Sequence, residues 1–210
     1  MDALRMSPSV QITASLVGCV TQVLAVGRRM LLGLLSLLAL GGHTAFGADH
    51  AISKEYQIKA AFLYNFSKFV QWPPGRFPDE TSPIVIAVLG DSPFGDELAN
   101  AVHGRLVNGR PIVVKIIDSL ESLEESGSAQ VLFVGASEER RLGDSLYSLH
   151  RASILTVGET RRFAAMGGII TFILSEDKVR FEINQNAGER AGLKINAQLL
   201  KLALPVRNHP

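Results

Sequence analysis

The 210-residue sequence has a single cysteine, Cys19, and everything downstream of it is free of thiols. That excludes a disulfide-stapled fold, a Cys-ligated metal and a cysteine nucleophile in the body of the chain. An excess of one charge is lacking too. The 21 Lys and Arg stand against 20 Asp and Glu, a formal net charge of +1, which speaks against a polycationic nucleic-acid binder. Aromatics make up only 7% of the residues. No apolar run reaches the roughly 18 residues that a membrane-spanning helix needs. G-x-G-x-x-G, G-x-x-x-x-G-K-[ST] and G-x-S-x-G are all missing, which removes the common dinucleotide, phosphate-loop and hydrolase-elbow readings. What is present is a globular balance, 47% hydrophobic and 20% charged.

The first residues carry an address. Arg28 and Arg29 precede Met30 to Leu40, a run that is apolar except for Gly33 and Ser36. Ala45 and Gly47 then supply small side chains at the −3 and −1 positions of a cleavage site. The apolar run spans roughly half of a ~30 Å hydrocarbon core, so it reads as the h-region of a signal peptide, cut after Gly47. Residues 1–47 are expected to be leader. The polar stretch before about residue 26, with Pro8, reads as an initiation codon assigned too far upstream. Leu16-Val17-Gly18-Cys19 has the form of a lipoprotein box, but Gln11, Thr13 and Ser15 occupy its apolar stretch. Arg28-Arg29 serves as an ordinary n-region, since no cofactor motif demands a twin-arginine route. The expected product is a periplasmic protein of residues 48–210, with 18 basic and 19 acidic residues and a net charge of −1. A single domain of this length is stable through its core alone.

Within 48–210, Ser53 to Trp72 lacks Gly and Pro and reads as a helix. Ile58, Phe62, Phe66 and Phe69 form its stripe, Ser53 its N-cap, and Pro73-Pro74-Gly75 its stop. Apolar runs then alternate with helical stretches. Strands are expected at Ile84–Leu89, Pro111–Ile117, Val131–Val134 and Ile154–Val157. Helices are expected at Asp96–Val102, Leu120–Glu125 and Glu138–Leu149, with a short turn at Arg161–Ala165. Ile169–Leu174 and Val179–Ile183 form a hairpin, and a helix from Asn196 to Leu204 closes the domain. Continuously apolar strands separated by helices indicate an α/β fold. We expect a three-layer sandwich around a mostly parallel, doubly-wound sheet, with a C-terminal antiparallel hairpin.

Sites in such a sheet form on the loops leaving the carboxyl ends of the strands: Gly90 to Gly95, Asp118, Gly135 to Ser137 and Gly158 to Thr160. His50, His103, His150 and His209 have no second His or Cys at chelating spacing. The pairs Asp91 with Asp96 and Glu138 with Glu139 suit helix first turns as well as they suit a cation. Ser92 and Ser137 read as turn and cap residues. We expect no catalytic residues, no metal, no cofactor and no nucleic-acid groove.

One series of segments points to a family. Lys59 to Pro73 (KAAFLYNFSKFVQWP) resembles the opening helix of the YfiR-like periplasmic proteins. In order follow Val88 to Gly95, Val107-Asn108-Gly109-Arg110-Pro111-Ile112, Val131 to Val134, Ile154 to Val157 and Phe163 to Phe172. Arg180 to Asn184, Ala191 to Ile195 and Gln198 to Ala203 complete the series. The resemblance implies a signalling regulator that binds and represses the periplasmic sensor domain of an inner-membrane diguanylate cyclase, lowering cyclic-di-GMP and biofilm formation. Some relatives carry cysteine pairs, one member just before the third strand, where this chain has Ala129. A redox role therefore does not transfer.

Binding of this kind needs a few buried apolar anchors. Phe163, Met166 and Ile169, with Arg190 at a rim, are the candidate partner-binding residues, and core packing is the competing reading of Phe163 and Met166. A homodimer is allowed. The alternative function is a periplasmic small-molecule-binding module, with its ligand in the crevice near Gly90 and Gly158.

Overall fold

Strands that are apolar at every position must be covered on both sides, and here they are. The computed structural model describes residues 46–91, 93–125, 129–142 and 145–205. Apart from Phe46 and Gly47, the expected leader lies outside the described residues. Helix α1 (Phe46–Phe69) runs into a short strand β1 (Val70–Gln71), then β2 (Ile84–Leu89), α2 (Glu97–Val102), β3 (Leu106–Val107) and β4 (Arg110–Ile117). Next come α3 (Glu121–Glu125), β5 (Val131–Val134), α4 (Glu139–Leu142), α5 (Ser145–Arg151), β6 (Leu155–Gly158) and α6 (Arg161–Ala165). The chain continues with β7 (Ile170–Ser175), β8 (Lys178–Ile183), α7 (Gln185–Arg190), β9 (Lys194–Ile195) and α8 (Ala197–Leu202). All of the strands lie within one compact unit, His50–Pro210.

The main sheet has the order β3-β4-β2-β5-β6-β7-β8. β4, β2, β5, β6 and β7 are mutually parallel, with Ile86 beside Val114 on one side and Val131 on the other. The order reverses at β2, which makes the sheet doubly wound. β7 and β8 form an antiparallel hairpin with Phe172 opposite Phe181, and β1 pairs with β9 in a separate ribbon. Alternation sorts the strands into two cores. Ile84, Ile86 and Val88 of β2 face Leu63 and Phe66 of α1, Leu98 of α2, Ala187 of α7 and Leu199 of α8. Val85, Ala87 and Leu89 face Leu123 of α3, Leu142 of α4, Leu146 and Leu149 of α5 and Phe163 of α6. This is the expected three-layer α/β sandwich.

Several boundaries differ from the sequence expectation. α1 starts at Phe46, so Ser53 lies inside it, and it ends at Phe69 because Val70 and Gln71 are drawn into pairing with Ile195 and Lys194. Ile58 is exposed, and the buried stripe instead holds Lys59, Ala60, Leu63, Phe66 and Ser67. The single helix expected over Glu138–Leu149 is described as two, α4 over Glu139–Leu142 and α5 over Ser145–Arg151. β3, α7 and β9 were not expected at all.

The amino end of the sheet is fastened by side chains. Gln130 Oε1 accepts from the Val85 amide at 2.8 Å, and Trp72 Nε1 donates to the Gln130 carbonyl at 3.3 Å. Arg76 donates to the carbonyl of buried Ala129 at 2.5 Å.

Candidate functional site at the carboxyl end of the sheet

The order reversal at β2 puts its carboxyl end beside that of β5, the usual place for a ligand in such a sheet. Here the chain fills the place itself. Gly90 has φ +78°, and a Cβ there would sit 2.6 Å from Glu138 Cγ. The Glu138 carboxylate also accepts from Arg141 at 2.8 Å. A Cβ on Gly158 or on Gly168 would run into the ring of Phe163. These glycines make room for the chain's own side chains, Glu138 at Gly90 and Phe163 at Gly158, and a cavity of about 140 Å³ lined by Leu89, Ser119, Glu121 and Arg141 remains at this end of the sheet.

Next to it lies a buried polar cluster centred on Glu159, the residue after β6. One turn of α1 presents Glu55, Tyr56 and Lys59 to it. Lys59 Nζ is 2.6 Å from Glu159 Oε2 and 2.5 Å from Glu55 Oε1. The Tyr56 hydroxyl donates to Glu159 Oε2 at 3.1 Å, and the Ala136 amide, just past β5, donates to Oε1 at 3.0 Å. Lys59 Nζ also lies 4.4 Å from the centre of the Tyr56 ring, whose edge meets Phe94 at 5.2 Å. Burial, and then the charge of Glu159, push the Tyr56 hydroxyl pKa above its usual range, so it stays protonated and donates.

Thr160 continues the network. Its hydroxyl donates to the buried carboxylate of Glu139 and accepts from the Phe163 amide at 3.2 Å as the N-cap of α6. Burial raises the Glu139 pKa, with the hydrogen bond from Thr160 opposing it. Glu139 Oε1 has no hydrogen-bond partner. The cavity beside Lys59 and Glu159 is about 50 Å³, room for a few waters and too small for an organic ligand. Lys59 and Glu159 are committed to each other, and the arrangement ties α1 to the ends of β5 and β6. Its chemistry is positioning.

The candidate partner-binding residues fall into two groups. Phe163 and Ile169 are fully buried, Phe163 in the second core and Ile169 in the first. Met166 is half-buried against the second core, and Arg190 is exposed at the last turn of α7. Arg190 acts on His150, whose pKa is lowered first by burial and then by that guanidinium. Sequence reading missed Tyr56, Lys59 and Glu159, and took Glu139 only as one of an acidic pair with Glu138. One signal was available: Lys59 sits four and seven residues before Leu63 and Phe66, a charge inside an apolar stripe. Among the described residues no group of three or more His, Cys, Asp or Glu is placed to hold a metal ion.

Fold and site together define a doubly-wound α/β domain with Glu138 and Phe163 packed against Gly90 and Gly158 at the carboxyl end of its sheet. Among the described residues no helix is long and apolar enough to cross a membrane. A family model described as YfiR/HmsC-like matches residues 56–204, from α1 to just past α8, and the chain belongs to that family of periplasmic regulators of cyclic-di-GMP signalling. Among solved structures, a conserved domain protein from Vibrio cholerae O1 biovar eltor str. N16961 is similar with a TM-score of 0.45 and 10% identity. The match covers 70% of this chain and 58% of that one, so the chain spans less than two thirds of that protein's length.

Proposed function

We propose that this protein is exported to the periplasm, where it binds the sensor domain of an inner-membrane diguanylate cyclase and holds the enzyme in its inactive state. The observation that carries the reading is the family match, which takes in every described strand of the domain. Repression of this kind requires tighter binding to the inactive than to the active form of the target. Moving a partner from 1:99 to 99:1 takes ~5.5 kcal/mol of differential affinity. A rigid surface serves that end, because little ordering entropy is lost on binding, and the Lys59–Glu159 cluster supplies rigidity at one end of the sheet. With Phe163 and Ile169 buried, contacts from the expected set fall to Met166 and Arg190. The test is deletion of the gene alone and together with the gene of its target cyclase. Cyclic-di-GMP should rise in the first strain and not in the second. An unchanged level in the first would overturn the proposal.

A second reading, a small-molecule-binding module, draws on a different place from the one expected. A cavity of about 270 Å³ opens between α3 and α5, lined by Leu120, Leu123, Leu149, Ile154, Ser145 and Ser148. Thermal-shift screening against periplasmic metabolites tests it, since a saturating ligand raises the melting temperature.

A further inference from the structure

Two cavities share part of their walls. β2 sends the chain to α2 on the face of the first core, and its neighbour β4 sends it to α3 on the face of the second. The carboxyl ends of these two strands therefore lie at a switch point of the sheet. The cavity of about 140 Å³ sits there, with Leu89 from the end of β2 and Ser119 from just past β4 in its wall. The one of about 270 Å³ opens between α3 and α5. Leu120, Glu121 and Ser145 line both, so the two form one cleft with unlike ends. Leu123, Leu149 and Ile154 of the second core make the larger end apolar. The charges belong to the other end. Arg141 lies 2.8 Å from Glu138 and is engaged by it, whereas Glu121 is exposed and makes no ion pair among the described residues. The excess charge in the wall is negative.

We propose that this cleft binds a short-chain primary amine, its alkyl chain in the larger cavity and its ammonium group among Glu121, Ser119 and Ser145. The proposal rests on the reading of the chain as a small-molecule-binding module and names the ligand class for it. A primary ammonium brings three N–H donors and no acceptor, and three oxygen-bearing side chains stand where the two cavities join. Ser119 already accepts from the Ser122 amide at 3.4 Å, and its hydroxyl oxygen keeps a second lone pair. A carboxylate head would face Glu121, and the guanidinium that could hold it is taken by Glu138. At about 270 Å³ the apolar end lies just below the usual range of ligand-sized cavities, which fits a chain of a few carbons.

The test is isothermal titration calorimetry of the purified protein with butylamine, hexylamine, hexanol and hexanoate at neutral pH and low salt. Hexylamine should bind, and each methylene added from butylamine to hexylamine should tighten binding by up to about fourfold. Hexanoate should bind about tenfold more weakly than hexylamine, because an attraction at Glu121 is exchanged for a repulsion of similar size. Glu121→Gln, at an exposed position, should weaken hexylamine by about twofold to fivefold and leave hexanol unchanged. Ser148→Phe, exposed on α5 and in the wall of the larger cavity, should abolish binding of the whole series. Hexanol or hexanoate binding as tightly as hexylamine would overturn the ligand class, and affinity indifferent to Ser148→Phe would overturn the site. Should Ser148→Phe not fold, the ligand series and the Glu121→Gln arm still decide. No binding by either amine would overturn the proposal. The metabolite screen then decides the module reading separately, since stabilisation by a compound of another class would leave that reading standing.

Discussion

The ammonium of Lys59 lies 2.6 Å from the carboxylate of Glu159, and only 6% and 10% of the two side chains are exposed. A pair withdrawn this far from water contributes little net stability when intact, but breaking it strands a charge. Glu159→Gln leaves Lys59 its second carboxylate, Glu55, and is therefore expected to destabilise the domain by about 1–3 kcal/mol in urea unfolding, the cost of one charged hydrogen bond. Lys59→Met combined with Glu159→Leu should cost less than the sum of the two single changes, since their direct contact is lost only once, while Glu55 loses its partner in either case where Lys59 is replaced. Single variants whose losses simply add in the double would show that the two groups do not act as a pair.

Phe163 fills the space left by two missing Cβ atoms, those of Gly158 and Gly168. Its truncation to Ala is expected to cost about 3–5 kcal/mol, as for other buried phenylalanines. Gly168→Ala overpacks the same spot and should cost about 1–3 kcal/mol. Joined with Phe163→Leu, Gly168→Ala should lose less than the sum of the two, because the smaller side chain yields to the added methyl. Melting temperatures of the three variants decide this. A Phe163→Ala protein as stable as its parent would return the ring to the role of a partner contact.

The centre of the sheet was legible in the sequence because β2 and β5 are apolar at every position and bounded by turn residues. Ile84–Leu89 and Val131–Val134 needed only their own composition. Lys59 was not legible as a buried residue, because what keeps it inside is a carboxylate 100 residues away. β3 was hidden by its length of two residues, although Asn108-Gly109 announces its turn, with φ of +53° and +81°. β1 and β9 exist only through each other, and neither has a periodicity to read. Phe163 kept two readings open in the sequence, contact anchor and core, because the glycines that enclose it lie on both sides of it in the chain and read as loop residues.

His150 is buried, and its Nε2 has no hydrogen-bond partner. Burial, and then Arg190, hold its pKa below the usual imidazole value of 6.5. Below that value the unfolded chain takes up a proton that the folded one refuses. Its contribution to stability is therefore whole above pH 6.5 and is lost as the pH falls toward the depressed folded value. Glu139 works in the opposite direction. Its raised pKa lets the folded state bind a proton first, so acidification removes the cost of its buried charge. His150→Leu should flatten the acid-side fall of the melting temperature, and Glu139→Gln should steepen it. Profiles parallel to that of the parent would mean that neither group is linked to folding.

The β7–β8 hairpin turns through Glu176 and Asp177, both left-handed, with φ of +52° and +55°. Two consecutive left-handed residues form the mirror-image turn that suits the twist of a hairpin, and Asn-Gly is the pair that adopts it at least cost. Glutamate in this conformation costs roughly 1–2 kcal/mol, because its Cβ crowds the following carbonyl. The carboxylates face solvent and hold no described partner across the turn, so nothing is lost with them. Glu176→Asn together with Asp177→Gly is expected to stabilise the protein by about 1 kcal/mol, read as a higher urea midpoint at unchanged slope. Gly at position 176 alone should recover part of that gain, limited by the extra freedom it gives the unfolded chain. An Asn-Gly variant less stable than its parent would mean that the acidic pair is kept in the turn by an interaction stronger than its backbone strain.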